Sequence, residues 1–131
     1  MEKFKSNIDN KALEDLNFKI TNSRLLDWGT DYNTNAGISF KKISYIIDYW
    51  KNQFSWKKEE SNLNKFNQFI FNKDNVKIHF LHVKSTEENA LPLLLIHGWP
   101  GSIFEFLDII PLLTNPEKNS LKGNQPFDLI I

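Results

Sequence analysis

Apolar residues recur at two different periods along this chain, and the period changes near residue 66. In the first part the spacing is helical. Leu13, Leu16 and Ile20 follow Asp9, whose carboxylate can accept backbone N–H groups at a helix start, so a helix is predicted there. Ile43, Ile46, Ile47, Trp50 and Phe54 form one apolar face behind Ser39, a second capping residue, and predict a second helix. Trp56 to Phe66 predicts a shorter one, with Lys57, Lys58, Glu59 and Glu60 on its wet side. Asp27 to Ile38 is rich in Gly, Asn, Asp and Thr, and predicts irregular structure.

From Phe66 the period becomes two. Phe69 and Phe71 share one face of a predicted strand, and Lys73-Asp74-Asn75 is a plausible hairpin turn. The next strand sets Val76, Ile78, Phe80 and His82 on one face and Lys77, His79, Leu81 and Val83 on the other. After a polar connection from Ser85 to Ala90, the run Leu91 to Ile96 is apolar at almost every position, which predicts a strand covered on both faces. His97-Gly98-Trp99-Pro100-Gly101 then reads as a tight turn. Ser102 can cap a helix carrying Phe104, Phe106, Leu107, Ile110 and Leu113. A polar loop with Pro116, Gly123 and Pro126 precedes a last strand, Phe127 to Ile131. Hairpin, buried strand, helix, strand is the order of an α/β sheet with a crossover. The last residues lie inside an apolar strand-like run, so the expectation is that the chain is the front portion of a longer protein.

Composition narrows the function classes. With 131 residues the chain fits one modest domain. Lys plus Arg number 16 and Asp plus Glu 16, so no net positive charge draws it to phosphate backbones, and nucleic acid is not expected as a partner. The absence of cysteine excludes disulfides, a thiolate zinc site and a cysteine nucleophile. The longest apolar runs, Leu91 to Ile96 and Ile109 to Leu113, are too short to cross a bilayer. Met1 to Asn10 alternates charged and apolar residues, which is not a signal-peptide pattern. Aromatics make up 14%, and the stripe Trp50, Phe54 and Trp56 reads as packing.

Few residues suggest chemistry. His79 and His82 are three apart, and on a strand that offset sends them to opposite faces, so they cannot share a metal ion. Glu87-Glu88 reads as a solvated loop pair. No Gly-x-Ser-x-Gly elbow, dinucleotide fingerprint or Walker A loop occurs. Asp108 and Asp128 lie on no strand-to-helix elbow and are assigned structural roles. The turn His97 to Gly101 differs from these. It follows a buried strand and precedes a helix, at the sheet edge where open α/β folds place ligands. Pro100 stiffens it, two glycines permit an unusual backbone, and the Trp99 N–H is left free to meet a developing negative charge. A purely structural turn is the other reading of the same five residues.

At this turn the sequence resembles the N-terminal region of microsomal-type epoxide hydrolases, a family that includes juvenile hormone epoxide hydrolases. The resemblance runs from about Phe4 to the last residue. It is carried by Asp48-Tyr49-Trp50, Phe54-Ser55-Trp56-Lys57, Leu63 to Phe69, Ile78 to Val83, and Leu91 to Gly101 with Ser102, Glu105 and Phe106. It implies an α/β fold: an N-terminal helical segment, 1–65, followed by the first strands and helix of an α/β-hydrolase core, 66–131, incomplete here. It also implies a cis Trp99–Pro100 bond.

The implied activity opens hydrophobic epoxides to diols. A carboxylate nucleophile forms an alkyl-enzyme ester, a His base with its acid partner activates the water that hydrolyses it, and two lid tyrosines assist the epoxide oxygen. By the same match the Trp99 backbone N–H is half of the oxyanion hole, and His97, Gly98, Trp99 and Pro100 line the substrate pocket. Nucleophile, base and lid tyrosines are not among these residues, so the chain alone is expected to be inactive. No cofactor and no metal are implied. The expected setting is soluble and cytoplasmic, with association with the endoplasmic reticulum left open. Two alternatives stand beside this reading: a non-catalytic interaction module, and the front portion of another α/β-hydrolase such as an esterase.

Overall fold

The computed structural model describes residues 1–26, 37–121 and 123–131. Most of the irregular stretch expected at Asp27 to Ile38 lies outside them. The described residues form two units: Met1–Ser6 with Glu60–Ile131, and Asn7–Glu59.

The first unit is built on a five-stranded sheet. Its strands are β1 (Glu2–Phe4), β2 (Gln68–Lys73), β3 (Val76–Val83), β4 (Leu91–Leu94) and β5 (Phe127–Ile130), in spatial order β1-β2-β3-β5-β4. The β1–β2, β2–β3 and β3–β5 pairs are antiparallel, and β4–β5 is parallel. The parallel pair is joined by the crossover that the order of elements predicted. Asp74 and Asn75 turn the β2–β3 hairpin with φ of 50° and 65°, the left-handed pair that a two-residue loop needs to match strand twist. The register pairs Phe69 with Phe80, whose rings stack at 5.6 Å, and His79 and His82 fall on opposite faces as expected.

The core of this unit is Leu63, Leu81, Ile110, Leu129 and Ile131. It lies between the inner sheet face and the segment after β4. That segment was expected to be one helix from Ser102. Instead Ser102 caps a 3₁₀ turn, Ile103–Phe106, and α4 (Ile110–Thr114, numbered after α1 to α3 below) begins separately. Pro111 is the physical reason: it has no N–H to bond the preceding turn, so a helix can start around it but not run through it.

Two further expectations are corrected. Leu91 to Ile96 is covered on one face only, Leu93 and Leu95 packing on the core while Leu94 and Ile96 are 63% and 78% exposed. β4 is an edge strand of the sheet. Glu60, placed on a wet helix face by the sequence, is buried. Its Oε1 accepts the Ser6 hydroxyl at 3.2 Å. Next to it the Asn64 amide brackets Ser6, accepting its N–H at 2.9 Å and donating to its carbonyl at 2.8 Å. Gln68 donates to Asn64 at 2.7 Å and turns its Oε1 to His79 Nε2 at 3.0 Å. These bonds fasten β1, a strand the helical reading of the first residues did not anticipate.

The second unit holds α1 (Asn10–Thr21) and α2 (Phe40–Asn52), and α3 (Trp56–Leu63) begins in it. Asp9 and Ser39 cap the first two as expected, accepting the N–H of Lys11 and of Lys42 at 3.2 Å each. No helix among the described residues is long and apolar enough to cross a membrane.

Candidate functional site

The turn after β4 is held at both ends by main-chain bonds. Leu95 N–H continues the ladder to Ile130 O at 2.8 Å, so the strand direction persists into the turn. Gly101 N–H then closes it onto Gly98 O at 2.7 Å, with His97 Nδ1 3.2 Å from the same carbonyl. Beyond it Ser102 Oγ accepts Phe104 N–H at 3.3 Å and the Ser102 carbonyl accepts Glu105 N–H at 3.0 Å. The Trp99–Pro100 bond is cis.

These bonds leave Trp99 at the apex. Its N–H has no hydrogen-bond partner among the described residues, and the residue is 97% exposed. His97, Gly98 and Pro100 are exposed beside it. The four expected site residues, consecutive in sequence, all lie exposed in this turn, and the N–H groups of His97 and Gly98, like that of Trp99, have no hydrogen-bond partner among the described residues. A donor facing water gains little from an anion, whereas one facing a dry wall gains much more.

The two glycines act differently from the sequence-based expectation. Neither Gly98 nor Gly101 has a left-handed φ. At Gly98 a Cβ would meet nothing within 4 Å, but at Gly101 it would collide with Glu105 and with the Gly98 carbonyl. Space, not backbone freedom, requires glycine at 101, and no local sequence signal reports that.

The other candidates take structural positions. Asp128, on β5, accepts the Ser85 N–H at 2.8 Å, and Glu87 accepts the Glu117 N–H at 3.1 Å. Asp108 is exposed in the turn between the 3₁₀ segment and α4. The stripe Trp50, Phe54 and Trp56, read from the sequence as packing, lines a cavity of about 660 Å³ in the helical unit together with Leu13, Leu16 and Ile46. Burial lowers the pKa of His79 from the usual imidazole value.

Comparison with known proteins decides what kind of chain carries this turn. The family model for the epoxide hydrolase N terminus matches residues 1–106. The chain belongs to the epoxide hydrolase N-terminal family. It is 37% identical over 131 residues to epoxide hydrolase 1 of Sus scrofa, covering 97% of this chain and 29% of the relative. It is also 37% identical over 131 residues to juvenile hormone epoxide hydrolase 1 of Ctenocephalides felis, covering 98% of this chain and 28% of the relative. Among solved structures, the epoxide hydrolase of Aspergillus niger matches with a TM-score of 0.79 and 29% identity, over 98% of this chain and 34% of that one. The resemblance drawn from Trp50, Trp56, Trp99 and the blocks around them is therefore correct, and the fold is the front of an α/β-hydrolase. The chain spans under a third of the length of the curated relatives it matches.

Proposed function

We propose that this chain supplies the N-terminal part of an enzyme that opens hydrophobic epoxides to diols through an alkyl-enzyme ester. Residues 1–65 form its helical segment, with β1 fastened to the first hairpin, and residues 66–131 begin its core. The Trp99 N–H donates to the oxyanion that forms when water attacks the ester. His97, Gly98 and Pro100 line the pocket beside it, and the Trp99 indole supplies an apolar wall. The observation that carries the reading is the unpaired Trp99 amide at the apex of a closed turn, in a chain of this family.

The ester intermediate has a direct test in the protein read from the whole reading frame that contains these residues. A single turnover in ¹⁸O-water should give unlabelled diol and a labelled enzyme carboxylate, because the first diol takes its oxygen from the nucleophile. Label in the first diol rejects the ester. A serine where the family places its carboxylate favours the esterase alternative. The oxyanion assignment has its own test: replacing the Trp99 amide by an ester linkage should slow hydrolysis of the intermediate by about 10²–10³-fold while its formation is little changed.

A further inference from the structure

Glu105 was singled out by the resemblance, yet the reaction assigns it nothing. Its side chain does not point away along the 3₁₀ turn but returns to the glycine four residues earlier. A Cβ on Gly101 would lie 1.9 Å from Glu105 Oε1, 2.6 Å from its Cδ and 2.8 Å from the Gly98 carbonyl oxygen. The carboxylate therefore occupies the volume of the missing side chain. Adding one C–C bond of about 1.5 Å places Oε1 no more than about 3.4 Å from the Gly101 Cα, the separation of a Cα–H···O contact.

The same glycine donates its N–H to Gly98 O at 2.7 Å. Gly101 thus meets two oxygens, the carbonyl that closes the turn and, on its Cα, the carboxylate of the exposed Glu105. Between Gly98 and Gly101 lie only Trp99 and Pro100. Movement of Gly101 away from Gly98 would release the Trp99 amide to rotate.

We infer that Glu105 is a positioning residue: its carboxylate, lodged on Gly101, keeps the Gly98–Gly101 turn closed and the Trp99 N–H turned outward. It acts through the turn and touches no substrate. The catalytic consequence rests on the role of Trp99 proposed above, whereas the placement does not.

The test uses backbone amide resonances and hydrogen exchange of the ¹⁵N-labelled protein expressed from the whole reading frame, with Glu105→Gln, Glu105→Asp, Gly101→Ala and the pair Gly101→Ala/Glu105→Asp. Glu105→Gln keeps the shape and should leave the Trp99 and Gly101 amides as in the parent. Glu105→Asp keeps the charge but falls one methylene short, and should shift the Trp99 amide and speed Gly101 exchange by about tenfold or more. Gly101→Ala should do the same, because its Cβ meets both the carboxylate and the Gly98 carbonyl, and the pair should do no more than Gly101→Ala alone. Parent-like amides in Glu105→Asp overturn the inference. In the full reading-frame protein, Glu105→Asp should slow hydrolysis of the ester but not its formation. Altered amides with unaltered hydrolysis would uphold the positioning role and sink the assignment of Trp99 instead.

Discussion

Single residues in this chain owe their behaviour to partners that are distant in sequence. His79 shows this in its proton affinity, which desolvation lowers from the ordinary value of 6.5. The unfolded chain takes up that proton more readily than the folded one. Stability is therefore full above pH 6.5 and is lost as the pH falls through the lower folded value. The imidazole should titrate with a midpoint below 6.5 by NMR, and Glu or Lys variants elsewhere should not move it; a midpoint at or above 6.5 would show that burial does not govern this side chain. A His79→Gln variant should flatten the dependence of stability on pH between about 7 and 5. Leu129, fully buried on β5, should lose about 2–5 kcal/mol on Leu129→Ala, read from urea unfolding. That the β3 face carrying Leu81 with Lys77 and His79 is the buried one was not legible from alternation, although the strands that hold Leu81 and Leu129 were. The burial of Glu60 was not, because its hydroxyl partner, Ser6, is 54 residues away. The need for Gly at 101 was equally hidden, since it depends on how closely the Gly98 carbonyl and the Glu105 side chain approach it.

Elements were legible wherever one local signal decided them. Asp74-Asn75 specified its hairpin because both residues tolerate positive φ, and a prediction follows for that turn. Asn75→Gly should leave stability unchanged or slightly raised. Asn75→Val should cost about 1–2 kcal/mol, because a β-branched residue fits the left-handed region poorly; equal midpoints for both variants in urea would contradict the assigned turn. The caps at Asp9 and Ser39 were similarly local. By contrast β1 is three residues, Glu2–Phe4, with no apolar run, and it becomes a strand only because β2 offers an edge more than 60 residues later. The split between the 3₁₀ turn and α4 had a visible cause in Pro111, which the apolar spacing on either side masked.

At the scale of the whole chain, fold class and family were readable from the order of elements and from the tryptophan-bearing blocks, while exposure was not. A run as apolar as Leu91 to Ile96 signals a strand wanting cover on two faces, yet here Leu94 and Ile96 face outward on the outermost strand. The 131-residue chain should self-associate at micromolar concentration, and Leu94→Lys with Ile96→Lys should keep it monomeric by light scattering. A parent chain that stays monomeric and binds no apolar dye would show that this face is already protected. The site was legible as a turn of the right composition in the right place, but the closure by Gly101 and the seat of Glu105 needed coordinates. One last consequence comes from Ser6 and its neighbours. The polypeptide leaves the sheet unit after Ser6 and returns at Glu60, and those two points are hydrogen-bonded to each other. Everything between them is therefore an excursion whose ends already touch. A short glycine-serine bridge could replace residues 7–55 and leave α3 whole, making this junction a natural place to splice in a foreign module.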